Sequence, residues 1–224
     1  MNPKDIVRDG YNKASRAYRG DVFDPKDDPC YRQCIDLLLG NLADGSRVLD
    51  LGCGCGIPTT RELTRRHQVT GVDISPVQIE RARSLVPAAE FVCADMTALA
   101  LPASDFDAVV SLYAIIHVPL EEQPDLFRKV SMWLKHGGWL LCTVGHRQWT
   151  GTEENWLGVP GGKMFWSHAD QQTYERWLTD LNFRIEKGMF IPEGNGGHTI
   201  LLAQNIANTP SQPTSIGPPT STLP

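Results

Sequence analysis

Residues 48 to 58 read Val-Leu-Asp-Leu-Gly-Cys-Gly-Cys-Gly-Ile-Pro. An apolar strand runs through an acid into glycines at three alternate positions, and then toward a helix. Lacking a Cβ, Gly52, Gly54 and Gly56 let the chain turn sharply and let a ligand touch the backbone itself. The helix that follows such a turn presents its unsatisfied N-terminal amides to the same point. The segment therefore predicts a strand-turn-helix unit of an α/β sheet, built around a nucleotide-like ligand.

The spacing and the acid narrow that ligand. The dinucleotide fingerprint G-x-G-x-x-G seats a pyrophosphate on the helix N-terminus, and its third glycine would fall where this chain has Ile57. Asp50 stands two residues before the first glycine, where a carboxylate repels a pyrophosphate and favours a cation. S-adenosylmethionine carries an ammonium and a sulfonium and no phosphate. On these residues the chain resembles the class I S-adenosylmethionine-dependent methyltransferases, whose first motif is an acid followed by this glycine pattern. The resemblance implies that Asp50, Gly52, Gly54 and Gly56 contact that cofactor.

Three later stretches occur in the order the family requires. Gln68-Val-Thr-Gly-Val-Asp73 reads as a second strand ending in an acid 23 positions after Asp50, close to the ~20-residue offset that places a carboxylate on ribose hydroxyls. Asp73, with the adjoining Ile74, is the ribose candidate. Ser75-Pro76-Val77-Gln78 then has a capping-box shape, with Ser at the N-cap and Pro at the first helical position. A third strand, Glu90 to Ala94, delivers Asp95 and Met96, which the resemblance assigns to the adenine amino group and a ring nitrogen. A fourth, Phe106 to Leu112, ends where the family's backbone carbonyl holds the methionine ammonium, so Leu112 serves through its main chain. The resemblance covers residues 5 to 205.

The chain divides into zones. Residues 1–44 predict N-terminal helices, with Val7, Tyr11, Ala14 and Tyr18 on one helical stripe. Asp21, Asp24, Asp27 and Asp28 mark an acidic loop between them. Residues 45–145 carry the alternating strands and helices of the cofactor half. Here a helix through Leu126 and Trp133 is expected to stop at Lys135-His136-Gly137-Gly138, before a fifth strand at Trp139–Val144. Residues 146–166 read as an aromatic loop acting as a substrate lid, with Trp149, Trp156, Phe165 and Trp166 among glycines. A helix opening at Ser167 and strands at Phe183–Phe190 and His198–Ala203 complete one domain over 1–206. The Pro/Ser/Thr-rich stretch 207–224 predicts a disordered tail. The order implies a Rossmann-like seven-stranded class I methyltransferase fold. Its sheet is mostly parallel with an antiparallel last strand, and helices cover both faces.

Composition excludes several classes. With 224 residues, 41% hydrophobic and 21% charged, the chain is ordinary for a globular enzyme. Its net charge of −5, with scattered basic residues, offers no face for phosphate backbones, so nucleic acid is not expected as a partner. No apolar run approaches the ~18 residues of a membrane span and no signal-peptide core is visible, which points to a cytoplasmic protein, monomer or homodimer. Cys53 and Cys55 in the turn, and Cys93 and Cys142 in strands, read as reduced thiols. No metal site is expected, because Cys30 and Cys34 lack a second pair at ligand spacing.

Methyl transfer needs alignment of an acceptor with the methyl–sulfur bond, and a base only where the acceptor carries a proton. His117, on the loop after the fourth strand, is the first base candidate, because imidazole titrates near neutral pH. His146 and His198 are the alternatives. The resemblance adds an N-terminal tyrosine, Tyr11 or Tyr18, closing over the methionine end of the cofactor. The aromatic segment suggests a planar or apolar small-molecule acceptor stacked on tryptophan, with His198 nearby. Two other functions fit the motif. One is an S-adenosylmethionine-binding enzyme of rearrangement or cyclisation, and the other is a regulatory module that keeps the fold without catalysis.

Overall fold

The computed structural model describes residues 2–22, 29–194 and 196–206. Two helices come first, α1 (Pro3–Tyr18) and α2 (Pro29–Leu39). The glycine turn joins β1 (Arg47–Leu51) to the short α3 (Thr59–Leu63). Next come β2 (Gln68–Asp73), α4 (Pro76–Leu85) and β3 (Glu90–Cys93). Then follow β4 (Phe106–Ser111), α5 (Gln123–Trp133) and β5 (Leu134–Gly145). The chain continues as β6 (Trp149–Glu154), β7 (Lys163–His168), α6 (Gln171–Asp180), β8 (Phe183–Glu193) and β9 (Gly196–Asn205). Asp24, Asp27 and Asp28 of the acidic loop, and the tail 207–224, lie outside the described residues.

Seven strands form one sheet in the order β3-β2-β1-β4-β5-β9-β8. Strands β1 to β5 pair in parallel, and β9 runs antiparallel to both β5 and β8. This is the expected class I topology. The period of two along each strand sorts side chains between the two faces. Leu49, Leu51 and Val109 meet Phe127, Val130 and Tyr174 on the α5/α6 side. Val48, Ala108 and Val110 meet Leu38 and Leu63 on the α2/α3 side. Helix α4 starts as its sequence predicts, with the Ser75 hydroxyl accepting from Gln78 N at 3.1 Å and Pro76 in the first turn.

Several expectations about boundaries are corrected. Helix α5 ends at Trp133, and β5 begins at Leu134 rather than Trp139. Its register against β4 jumps from Leu134 opposite Phe106 to Trp139 opposite Ala108. Gly137, at φ 78°, therefore serves an irregularity inside a strand and not a helix stop. The segment expected as an irregular lid is largely a β-hairpin, because β6 and β7 pair from Trp149 with His168 to Glu154 with Lys163. Ser167 belongs to β7, and α6 is capped by Asp170, which accepts from Thr173 N at 2.9 Å. Strands β8 and β9 are also longer than predicted.

Helix α1 lies across β7, burying Val7 and Ala14 against Trp156, Met164 and Phe165. Contact is closest at Gly10, where an added Cβ would stand 2.2 Å from the Lys163 carbonyl oxygen and 3.0 Å from Met164 Cε. Backbone cannot yield as a flexible side chain would. Gly10→Ala should therefore destabilise the protein by about 1–3 kcal/mol despite alanine's better helix propensity, as measured by urea unfolding.

Candidate cofactor and acceptor site

Parallel pairing brings the carboxyl ends of β1, β2 and β4 together, and the glycine turn lies between them. Gly52 N and Cys53 N both donate to the Val72 carbonyl, at 2.7 and 3.0 Å, fastening the turn to β2. Gly52 has φ 78°, and a Cβ there would strike Ala114 Cβ at 2.1 Å. Gly54 has φ 54°, and a Cβ there would make only an ordinary contact with Gln78 Nε2 at 3.9 Å. Gly56 differs in role, since a Cβ there would meet Val86 at 3.0 Å and Phe91 at 3.5 Å. It seats the turn on α4 and β3, and it is absent from the linings of both cavities beside the turn.

The first of these cavities is narrow, ≈ 60 Å³, and is lined by Tyr11, Tyr18, Gly52, Gly54 and Asp73 among others. Ile74, Asp95, Met96, Leu112 and His117 share its wall. The second, on the other side of Gly52, adds Asp50, Arg19 and Tyr31. Asp73 is buried, and its two oxygens accept from Gly54 N at 2.9 Å and Ser75 N at 2.8 Å. Burial nonetheless pushes its pKa up to about 6. Asp50 accepts from the Thr60 hydroxyl at 2.6 Å. Its pKa rises to about 7, through burial first, against the Thr60 bond, and with repulsion from Asp73. Arg19 and Tyr31 escaped the sequence reading because no motif marks them. The Arg19 guanidinium lies 4.9 Å from the Tyr31 ring centre and 5.7 Å from that of Tyr18.

Lys4, also unforeseen, reaches from α1 to Asp95 at 2.8 Å and Thr97 Oγ1 at 2.6 Å, and pairs with Glu122 as well. Burial favours a neutral Asp95, but its bonds to Lys4 and Thr97 outweigh this and hold the carboxyl below its ordinary range.

His117 does not titrate near neutrality. Its ring is buried, which drives its pKa down to about 4. The Phe165 carbonyl, 2.6 Å from Nδ1, only accepts, so Nδ1 carries the proton. Nε2 is then the acceptor for the Tyr11 hydroxyl at 3.1 Å. The Tyr11 phenol is pushed well above its usual value, chiefly by burial. The pair orients the tyrosine over the cavity, and imidazole with so low a pKa is a weak base.

Of the substrate candidates, Trp149, Trp166 and His198 line a third, larger cavity of ≈ 750 Å³, together with His146 and Phe190. Trp156 and Phe165 do not reach it. Both are buried against α1, where Trp156 packs 5.2 Å from Tyr11 and 5.6 Å from Tyr18. The large cavity and the narrow one share a wall, because Trp166 packs at a tilt against His117 at 5.5 Å and His198 stands edge-on to Tyr113 at 5.7 Å. That wall is braced from below by Gln123. Its Nε2 donates to the carbonyls of Val118 at 2.7 Å and Ser167 at 2.6 Å, and its Oε1 accepts from Tyr174 at 2.6 Å.

The two raised carboxyls carry a pH signature. Raised on folding from an unfolded value near 3.9, each contributes stability that is fully present below about pH 4. That contribution is lost as pH rises through about 6 for Asp73 and about 7 for Asp50. Asp50→Asn should therefore raise the melting temperature of the ligand-free protein at pH 8 and leave it nearly unchanged at pH 4.5, by differential scanning calorimetry.

Residues 48–138 match the family model described as a methyltransferase domain. Phosphoethanolamine N-methyltransferase 3 of Arabidopsis thaliana is 35% identical over 157 residues, covering 68% of this chain and 31% of that protein. The 2-methyl-6-phytyl-1,4-hydroquinone methyltransferase of Synechocystis is 42% identical over 86 residues, 36% of this chain and 27% of that protein. The chain thus spans less than a third of the length of these curated relatives. Among solved structures, magnesium protoporphyrin IX methyltransferase of Synechocystis with bound S-adenosylmethionine aligns at a TM-score of 0.68. It shares 21% identity, over 91% of this chain and 97% of that one. The [4+2]-cyclase SpnF aligns at 0.69 and 19% identity, over 90% and 95%. Both share the fold. The stretch that matches the methyltransferase-domain model holds the glycine turn and the strand-end acids, and the seven-stranded sheet with its antiparallel final strand is the class I methyltransferase fold of these solved structures.

Proposed function

We propose that this chain moves a methyl group from S-adenosylmethionine to a small-molecule acceptor, as one domain over 1–206. In it residues 1–44 cap the cofactor half 45–145, and the aromatic segment 146–166 borders the acceptor. The observation that carries this reading is the common wall of Tyr113, His117, Trp166 and His198 between the cofactor cavity and the ≈ 750 Å³ cavity. A transfer enzyme needs two adjoining compartments and a partition thin enough for a single bond to cross.

The residues fit the cofactor. Two buried carboxyls, held at about 7 and 6, are stabilised in their charged forms by a ligand that brings an ammonium and hydroxyl donors. Asp73 would take the ribose hydroxyls, since each of its oxygens retains acceptor capacity beyond its one backbone bond. Asp50 would act on the cationic end, with the Leu112 carbonyl on the ammonium. Gly52 and Gly54 admit the ligand to the backbone, Asp95 and Met96 flank the adenine, and Ile74 packs beside it. Tyr11 and Tyr18 cover the methionine end. When bound, the cofactor supplies a methyl already made electrophilic by the sulfonium. The protein's work is then to orient the acceptor and exclude water. The Tyr11–His117 pair serves that orientation, and His146 borders the acceptor.

The relatives' names support transfer to small molecules, and the share of their length that is matched leaves the acceptor to be found. The non-methylating alternative has the cyclase as a structural companion in fold alone. Free thiols at Cys53, Cys55, Cys93 and Cys142 favour a cytoplasmic setting. The acidic net charge of −5 favours a metabolite over nucleic acid. We expect a monomer or homodimer.

Calorimetric titration tests the reading. Wild-type protein should bind S-adenosylmethionine and S-adenosylhomocysteine. Asp73→Ala should weaken both by tenfold or more, roughly 1.4 kcal/mol or above. A folded protein that binds neither ligand overturns the assignment.

A further inference from the structure

The mechanism so far leaves the proton of the acceptor unassigned, and the larger cavity holds a pair suited to it. His198, at the start of β9, directs Nδ1 to Glu193 Oε2 at the end of β8, 3.1 Å away. The carboxylate only accepts, so Nδ1 bears the proton and Nε2 carries the lone pair. Among the described residues Nε2 has no hydrogen-bond partner, and His198 is part of the cavity lining. The ring stands edge-on to Tyr113, 5.7 Å between centres, and Tyr113 lines the cofactor cavity. Tyr113 is itself held at φ 56°, a conformation that a bulky residue adopts only when its surroundings impose it.

Resting on the methyltransferase reading above, we propose that His198 is the general base for an aromatic hydroxyl acceptor, a phenol, and that Glu193 positions it. The aromatic walls select a flat ring. Trp149 and Trp166 stand on one side, 5.8 Å apart, and Phe190 stacks on His146 at 4.4 Å on the other. Trp149 and Phe190 leave 48% and 45% of their surfaces exposed, which is surface for a guest to cover. The basicity of an imidazole selects the atom. A phenol, near 10, gives its proton to a neutral imidazole far more readily than an aliphatic hydroxyl near water's 15.7.

The proton balance is simple. The acceptor's O–H proton goes to Nε2, the oxygen lone pair forms the new bond to the methyl carbon, and the methyl–sulfur pair stays with sulfur. The imidazolium is stabilised by Glu193 until it loses its proton to water. Burial works against an ionised Glu193, but its bonds to His198 and Tyr113 prevail and keep the carboxyl below its ordinary range. His146 is the weaker choice. Its Nδ1 rests 3.2 Å from the Thr199 hydroxyl, a neutral group that offers an imidazolium no counter-charge. The groups that face His198 and share in any pH response are Glu193, Tyr113, His117, His168, His146, Arg147 and Glu153.

The test uses the full chain with S-adenosylmethionine and three probes of one ring system, 2-naphthol, 2-naphthylamine and 2-naphthalenethiol. Methyl gain is followed by mass. Binding is followed by quenching of tryptophan fluorescence in the presence of S-adenosylhomocysteine. 2-Naphthol should bind and become methylated, at a rate that rises with pH until the imidazole is neutral. His198→Asn retains a donor toward Glu193 but lacks the base, so kcat should fall about 100-fold with 2-naphthol affinity unchanged. Glu193→Gln should lower kcat about tenfold and move the pH profile to lower pH, because the lost carboxylate no longer favours the imidazolium. The proposal is overturned if His198→Asn keeps the wild-type kcat. It is overturned equally if the amine or thiol is methylated in preference to 2-naphthol. A protein that binds S-adenosylmethionine but neither binds nor methylates 2-naphthol removes the phenol assignment and leaves the methyltransferase reading standing. Loss of cofactor binding itself, seen by calorimetry, is failure of that earlier reading.

Discussion

Parallel pairing of β1 with β2 on one side and β4 on the other is the constraint from which the site follows. Strands that run the same way must end at the same edge of the sheet, and a right-handed crossover puts a helix between each pair. The chain must then turn at that edge, and the turn after β1 has to pass between β2 and β4. Its glycines answer that crowding. Gly52 has no room for a side chain beside Ala114, and Gly56 none beside Val86. Between them Gly54 alone of the three leaves room, its nearest neighbour being Gln78 Nε2 at 3.9 Å. Three glycines that look equivalent in a string thus divide into two that pack the turn and one that opens it.

The site is held in a state that favours ligand over stability. Asp50 and Asp73 are both at least nine-tenths buried, with pKa values near 7 and 6, because burial disfavours ionisation of each and Asp73 also repels charge on Asp50. A core of the same volume without them would be more stable. On the proposed reading, the ligand brings the missing positive charge and donors. Lys4 is a similar case, because it neutralises Asp95 from a helix that lies outside the sheet. The N-terminal helix is thereby tied to the cofactor edge by an ion pair and to β7 by the close approach at Gly10.

Much of the partition between the two cavities comes from outside the parallel strands β1 to β5. The loop after β4 contributes Tyr113 and His117, the β6–β7 hairpin contributes Trp166, and the β8–β9 hairpin contributes His198. Gln123 joins the first two through bonds to the Val118 and Ser167 carbonyls, and Tyr174 anchors Gln123 to α6. A buried amide with every group satisfied holds such a junction rigidly, since breaking one bond strands another. Positioning of the acceptor rests on this brace as much as on the residues that face the cavity.

The sequence by itself determined the parts that are local or periodic. The apolar runs, the acid at each strand end, the capping Ser75 and the glycine turn are read along a few consecutive residues. They were enough for the fold class and for the cofactor edge. It misread Ser167 as a cap and Gly137 as a helix stop, because a neighbouring strand, absent from any local window, had already claimed those residues for β7 and β5. It grouped Trp156 and Phe165 with Trp149 and Trp166 by closeness in the chain, whereas packing on α1 buries the first two. It could not see Lys4, Arg19 or the bond between Glu193 and His198, which depend on chain crossings. The charge state of His117 was likewise a tertiary decision: an imidazole's pKa is set by how deeply the fold buries it and by the carbonyl it is given, and neither is written in its position along the chain.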